Sequence, residues 1–131
     1  MIALDASAIV AIAMEEPEEE VFDRIISWRE AIVGIPTLFE ARLVLAGRMP
    51  GFAAAFMEGF VSVRDVRAVD FTMDMYREAV GALERFGKGR GHPAQLNFGD
   101  CMAYAVAKVY DLPLLYKGDD FARTDIRSAL P

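Results

Sequence analysis

Hydrophobic positions fall into short segments of alternating kind. Met1 to Ala6 is mostly apolar and ends in Asp5, and after Ser7 the stretch Ala8 to Met14 is again apolar, a pattern that predicts a buried strand, a tight turn and a short helix. The acidic run Glu15, Glu16, Pro17, Glu18, Glu19 and Glu20 predicts a solvated helix start with acids favoured by the helix dipole, and Val21, Phe22, Ile25 and Ile26 supply its apolar stripe. Ala31 to Ile35, bounded by Pro36, predicts a second strand. Leu38, Ala41 and Leu45 recur at helical spacing behind it, which puts Glu40 in or near the first turn of a helix. Phe52, Ala55, Phe56 and Phe60 predict another helix after Pro50-Gly51. Val61, Val63, Val66 and Val69 predict a third strand between residues 61 and 70. Tyr76, Ala79, Val80 and Leu83 mark a helix ending at Gly87. Asn97 to Tyr110, nearly all apolar apart from Asp100 and Lys108, predicts a central helix that Asn97 caps and Asp100 opens. Leu112 to Tyr116 is the last strand, left through the turn Lys117-Gly118-Asp119-Asp120-Phe121.

Strands separated by helices imply a single α/β domain over residues 1–131, a sandwich with a central, mainly parallel sheet of four or five strands and helices on both faces. At this length a folded chain buries roughly 68% of the surface its unfolded form exposes, so no metal or disulfide staple is required. The longest nearly continuous apolar run, Ala6 to Met14, is far below the ~20 residues of a membrane helix. No positively charged segment precedes the first apolar residues, and a cytoplasmic chain is the expectation.

Composition narrows the chemistry. One cysteine, Cys101, excludes an internal disulfide and reads as a small buried hydrophobe, and one histidine, His92, removes most zinc sites and places nucleophilic triads out of reach. Any metal must be held by oxygen. With 14 Lys+Arg against 20 Asp+Glu, the net charge of -6 excludes the chain as a whole from electrostatic nucleic-acid binding, leaving room only for a local basic patch. Arg85, Lys88, Arg90 and His92, interleaved with glycines, form such a patch, which is equally a solvated loop or an RNA contact.

Right-handed crossovers bring strand ends to one edge of the sheet, and with them Asp5, Glu40, Asp100 and the pair Asp119 and Asp120. Carboxylates crowded into one cleft repel each other unless a cation neutralises them. Mg²⁺ uses oxygen ligands, one or two carboxylates directly and the rest through water, and such a site supports phosphodiester hydrolysis without Cys, His or Ser. Each acid also has a plainer role: Asp5 and Asp100 as helix caps, Glu40 as a partner of Arg42 or Arg48, Asp120 as a turn cap, and Asp125 as a cap or ion-pair partner.

Asp5-Ala6-Ser7-Ala8, Glu40, Leu96-Asn97-Phe98-Gly99-Asp100-Cys101, Leu114 to Phe121 and Thr124-Asp125-Ile126 together resemble the PIN-domain ribonuclease toxins of type II toxin-antitoxin pairs, the VapC family. The resemblance runs over essentially the whole chain. It implies a Mg²⁺- or Mn²⁺-dependent endoribonuclease, a homodimer, and a cognate antitoxin as partner. Position by position it makes Asp5, Glu40 and Asp100 the first three acids, leaves Asp119 or Asp120 as the fourth, and gives Ser7 and Asn97 supporting roles. Two other readings use the same residues: a PIN fold serving only as an interaction module, and a phospho-signalling receiver, which would need paired acids after the first strand and Asp70 as acceptor.

Overall fold

The computed structural model describes residues 1–131 and contains four strands and six α-helices. Strand β1 (Ile2–Leu4) leads through α1 (Ala6–Ala13) and α2 (Glu19–Trp28) to β2 (Ala31–Gly34). From there α3 (Ile35–Arg48) and α4 (Ala53–Val63) return the chain to β3 (Val66–Val69), and α5 (Met73–Phe86) and α6 (Phe98–Val109) carry it to β4 (Leu114–Leu115). All pairings are parallel and the order is β3-β2-β1-β4. The expected α/β sandwich is therefore present with four strands.

Alternation along each strand divides the core into two layers, because successive side chains point to opposite faces. Ile2, Leu4, Ala31, Val33 and Leu115 pack against α1 to α4, whereas Ala3, Ile32 and Leu114 face α5 and α6. The chain winds from β1 toward β3 on one side and later returns to place β4 on the other. The switch in winding falls between β1 and β4, the position at which open α/β sheets bind ligands beyond their strand ends.

Several elements depart from the sequence expectation for local reasons. Helix α3 begins directly after β2, with Pro36 inside its first turn instead of ahead of it, so Glu40 lies in the second turn and not the first. Val61 and Val63 belong to α4, and β3 is an edge strand confined to Val66–Val69 with its middle residues exposed. The last strand is shorter than Leu112 to Tyr116. Pro113 has no N–H to donate to the ladder, and the N–H of Lys117 leaves it to donate to Ser7 Oγ at 2.9 Å. Gly87 does end α5, yet its φ of -68° is an ordinary one. Glycine is needed there because a Cβ would collide with the Leu83 carbonyl.

Candidate active site

Asp5 is the residue at which β1 stops and α1 starts. Its N–H donates to the Leu115 carbonyl at 3.0 Å, which extends the β1/β4 pairing by one step and pins Asp5 at the switch point. Its side chain then caps α1. Oδ2 accepts from the Ser7 N–H at 3.1 Å and from Ser7 Oγ at 2.6 Å, while Oδ1 is buried with no hydrogen-bond partner at all. Ser7 in turn accepts from the Lys117 N–H, so the loop after β4 is fastened to the start of α1 through one hydroxyl.

Asp100 is built the same way at the N-terminus of α6. Its Oδ2 accepts from the Asn97 N–H at 3.0 Å, and Asn97 Oδ1 accepts from the Asp100 N–H at 2.9 Å, a reciprocal cap that fixes both side chains. The other oxygen of Asp100 makes no hydrogen bond. In both acids one oxygen closes a helix and the other makes no hydrogen bond.

Glu40 reaches the same pocket from α3. It stands against Gly99, where any Cβ would overlap the Glu40 carboxylate, so the glycine leaves the room in which that carboxylate sits. Glu40 makes no ion pair with Arg42 or Arg48. Asp5, Glu40 and Asp100 line one cleft of about 430 Å³ together with Ser7, Glu16 and Lys117.

Electrostatics mark this cleft. Burial pushes the Asp5 carboxyl up, against the hydrogen bonds from Ser7, and the charge of Asp120 adds to the shift. Glu40 is pushed up to about 7 by burial first and by the charges of Asp5 and Asp100 next. Asp100 is pushed up to about 6 by burial, opposed by the Asn97 hydrogen bond and reinforced by Asp5 and Asp120. Asp120 therefore stands within electrostatic reach of two pocket acids. Asp119 acts on none of them, and both are exposed on the turn opened by Gly118, whose φ of +99° suits glycine.

Oxygen is the only donor type the cleft offers, and the partnerless Oδ1 of Asp5 is what a hard cation requires. No three acidic, His or Cys side chains already surround a common point in ligating geometry.

Elsewhere the structure separates residues that the sequence grouped. Arg85 is engaged with Tyr104, donating to its hydroxyl at 2.9 Å, and sits 3.9 Å from Asp125. The His92 ring packs edge-on against Phe86, and its Nδ1 accepts from the Ala94 N–H at 3.0 Å. Lys88 and Arg90 remain exposed and make no ion pair. Asp125 takes the ion-pair role, held by Lys108 at 3.0 Å and by the Tyr104 hydroxyl at 2.6 Å. Cys101 is buried. Asp70 follows β3 at the far edge of the sheet, two strands from β1, which removes the receiver arrangement. The pairing of Lys117 with Glu16 at 3.2 Å and Glu18 at 3.3 Å was not foreseen, since those two acids read from sequence as part of a solvated run. Their half-burial comes from a tertiary contact 99 or more positions away that no local pattern encodes.

Comparison with known proteins agrees with this architecture. Residues 2–127 match the PIN domain model. A VapC ribonuclease of Rhizobium meliloti is 36% identical, covering 94% of this chain and 97% of its own. The ribonuclease VapC30 of Mycobacterium tuberculosis is 35% identical over 98% of both chains. Among solved structures, the sarcin-ricin loop cleaving toxin VapC20 of Mycobacterium tuberculosis superposes with a TM-score of 0.79 at 19% identity over 100% of both chains. VapBC2 of Rickettsia felis, bound to a promoter DNA fragment, superposes with a TM-score of 0.71 at 16% identity, covering 98% of this chain and 96% of that one. A family match along nearly the whole length, and relatives of more than a third identity over the same span, identify the chain as a member of the PIN-domain family, among the VapC ribonucleases.

Proposed function

We propose that the chain is a metal-dependent endoribonuclease and the toxin of a type II toxin-antitoxin pair. The observation that carries this reading is the buried, partnerless Oδ1 of Asp5 at the switch point, in one cleft with Glu40 and Asp100. Asp5 and Asp100 would hold a Mg²⁺ or Mn²⁺ ion, with Glu40 and Asp120 completing the acidic shell. Asp120 is preferred to Asp119 because its charge acts on both Asp5 and Asp100. A divalent ion bound there supplies an activated water and neutralises charge developing at the scissile phosphate.

The chain's own residues set the geometry. Ser7 and the Asn97 N–H each donate to one carboxylate oxygen, of Asp5 and of Asp100, which orients both carboxylates and leaves the second oxygen of each free. Glu40, raised to about 7, is able to hold or release a proton near neutrality. Lys88 and Arg90, the two cations of the basic loop without an internal partner, are the proposed RNA contacts there.

The proposed protein partner is a cognate antitoxin. Relatives of the same fold include a toxin-antitoxin complex from Klebsiella pneumoniae, at a TM-score of 0.67 and 14% identity. A groove of about 700 Å³ between α2 and α4, walled by Ile26, Phe52, Phe56, Phe60 and Val63, suits an amphipathic segment. A second copy of the chain is proposed on a different face, where Phe39, Leu43 and Phe98 are 68%, 63% and 81% exposed. No helix is long and apolar enough to cross a membrane.

The test is incubation of purified protein with tRNA, rRNA fragments and mRNA, with Mg²⁺, with Mn²⁺ and with EDTA. The proposal requires cleavage that EDTA stops and that Asp5→Asn and Asp100→Asn remove. Cleavage indifferent to either would refute it.

A further inference from the structure

The acidic cleft has a cationic side that its metal chemistry leaves unused. Two basic side chains line it, Arg48 and Lys117, and they differ in one respect. Lys117 is fully engaged. Its Nζ lies 3.2 Å from Glu16 and 3.3 Å from Glu18, tying the α1–α2 turn to the loop after β4. Arg48 forms no ion pair and no hydrogen bond, although it shares a cleft with Asp5, Glu16, Glu40 and Asp100.

Its position on α3 gives that freedom a direction. Glu40, Val44 and Arg48 are spaced by four residues and all three line the cleft, so they form one stripe along the helix. Eight residues separate Glu40 from Arg48, which is about 12 Å along the axis at ~1.5 Å per residue. The two side chains leave the helix about two turns apart and line one cleft, so a strand whose scissile phosphate sits among the acids has Arg48 beside it for a flanking phosphate. A polyanion entering a cleft richer in carboxylates than in cations needs a fixed positive contact beyond the metal, and a guanidinium matches phosphate with two parallel hydrogen bonds. The plainer role of Arg48, a cation placed at a helix C-terminus for the dipole, predicts an effect on stability alone.

We infer that Arg48 is a substrate-positioning residue that binds an RNA phosphate flanking the scissile one, while Lys117 is a structural tie that does not. The inference rests on the endoribonuclease reading, and its test separates the two. Cleavage of an RNA cut by the unaltered protein is measured for Arg48→Gln, Arg48→Lys and Lys117→Gln, with Arg24→Gln on the exposed face of α2 as reference. Binding of a 2′-O-methylated, uncleavable copy of that RNA is followed by fluorescence anisotropy from low to high KCl, and folding is monitored by thermal melting.

Arg48→Gln raises KM by about tenfold, the scale of one charge-assisted contact, with kcat held within about twofold. It also makes the dependence of log K on log salt shallower by about 0.7, the value for one single-strand phosphate. Arg48→Lys restores the salt slope but not the full affinity, because the paired hydrogen bonds are lost. Lys117→Gln lowers the melting temperature and leaves the slope as it was. An Arg48→Gln protein with KM and slope both unaltered, or with lowered stability as its only change, overturns the inference while cleavage by the unaltered protein keeps the ribonuclease reading intact. Failure of the unaltered protein to cleave any RNA sinks the ribonuclease reading, and the inference with it.

Discussion

Two carboxylate centres in this molecule have opposite electrostatic histories. Around Asp125, burial alone would push the carboxyl up, but the hydrogen bonds from Tyr104 and Lys108 and the charges of Lys108 and Arg85 hold it below the usual carboxylate range. Around Asp5, Glu40 and Asp100, no cation is paired with any of the acids, and burial and mutual repulsion displace all three carboxyls upward. The first centre is complete as folded and joins α6 to the C-terminal segment. The second is proposed to be completed by a divalent cation. Compensated charge marks a structural device and uncompensated charge a functional one, as expected where a site keeps its charges unpaired for chemistry.

The sharpest way to break this contrast is to remove an acid from each centre. Asp5→Asn or Asp100→Asn keeps the shape of the cleft and is expected to lower RNA cleavage by about 10²-fold or more, the scale of losing one main electrostatic group from a site. Single-turnover cleavage assays measure it, and retention of more than a tenth of the activity would contradict the assignment. A less direct attack on the same centre is Gly99→Ala. Alanine within a helix ordinarily stabilises. Here its Cβ displaces the Glu40 carboxylate, so activity is expected to fall by about tenfold to a hundredfold while circular dichroism stays that of the folded protein.

The other centre answers in stability. Asp125→Ala leaves the fully buried Tyr104 without its acceptor and is expected to cost about 1–3 kcal/mol in urea unfolding, with cleavage little altered. Equal loss of activity would mean that the two centres are not separate.

Their pH responses have opposite signs and form the finest comparison. Glu40 and Asp100 have folded values of about 7 and about 6 against ordinary values of 4.5 and 3.8. Between those limits the folded state binds more protons than the unfolded one, so stability falls as pH rises. Without divalent cations the melting temperature should increase on going from about pH 8 to about pH 5. Asp125, with its folded value lowered, contributes stability above its ordinary 3.8 that disappears as pH falls through the folded value. Scanning calorimetry in EDTA reads both limbs. A melting temperature that rises steadily to alkaline pH would deny the repulsion in the cleft.

Much of this was legible from residue order alone. Asp5 and Asp100 could be placed at strand and helix ends because the apolar runs around them are long and the caps are local, Ser7 two positions from Asp5 and Asn97 three from Asp100. The α/β/α layering followed from the spacing of strands and helices. What stayed hidden depends on contacts distant in sequence. The role of Gly99 requires knowing that α3 and α6 cross at Glu40, and the burial of Glu16 and Glu18 requires Lys117. Arg85 and His92 looked like parts of a basic patch because charge spacing carries no information about Tyr104 or Phe86 packed beneath them. The third strand lies within the expected range of 61 to 70, at Val66–Val69, while β4 is shorter than its apolar run because a proline interrupts the ladder.

The cleft at the β1/β4 switch point is proposed to be a cation site left incomplete by the protein alone. Isothermal titration of Mn²⁺ into the full chain near pH 7, in two buffers of different ionisation enthalpy, tests it most directly. Binding is expected to release protons, because Glu40 and Asp100 are partly protonated there, and to be lost in Asp5→Asn combined with Asp100→Asn. Binding of unchanged affinity in the double variant, or no binding to the unaltered chain, would contradict it.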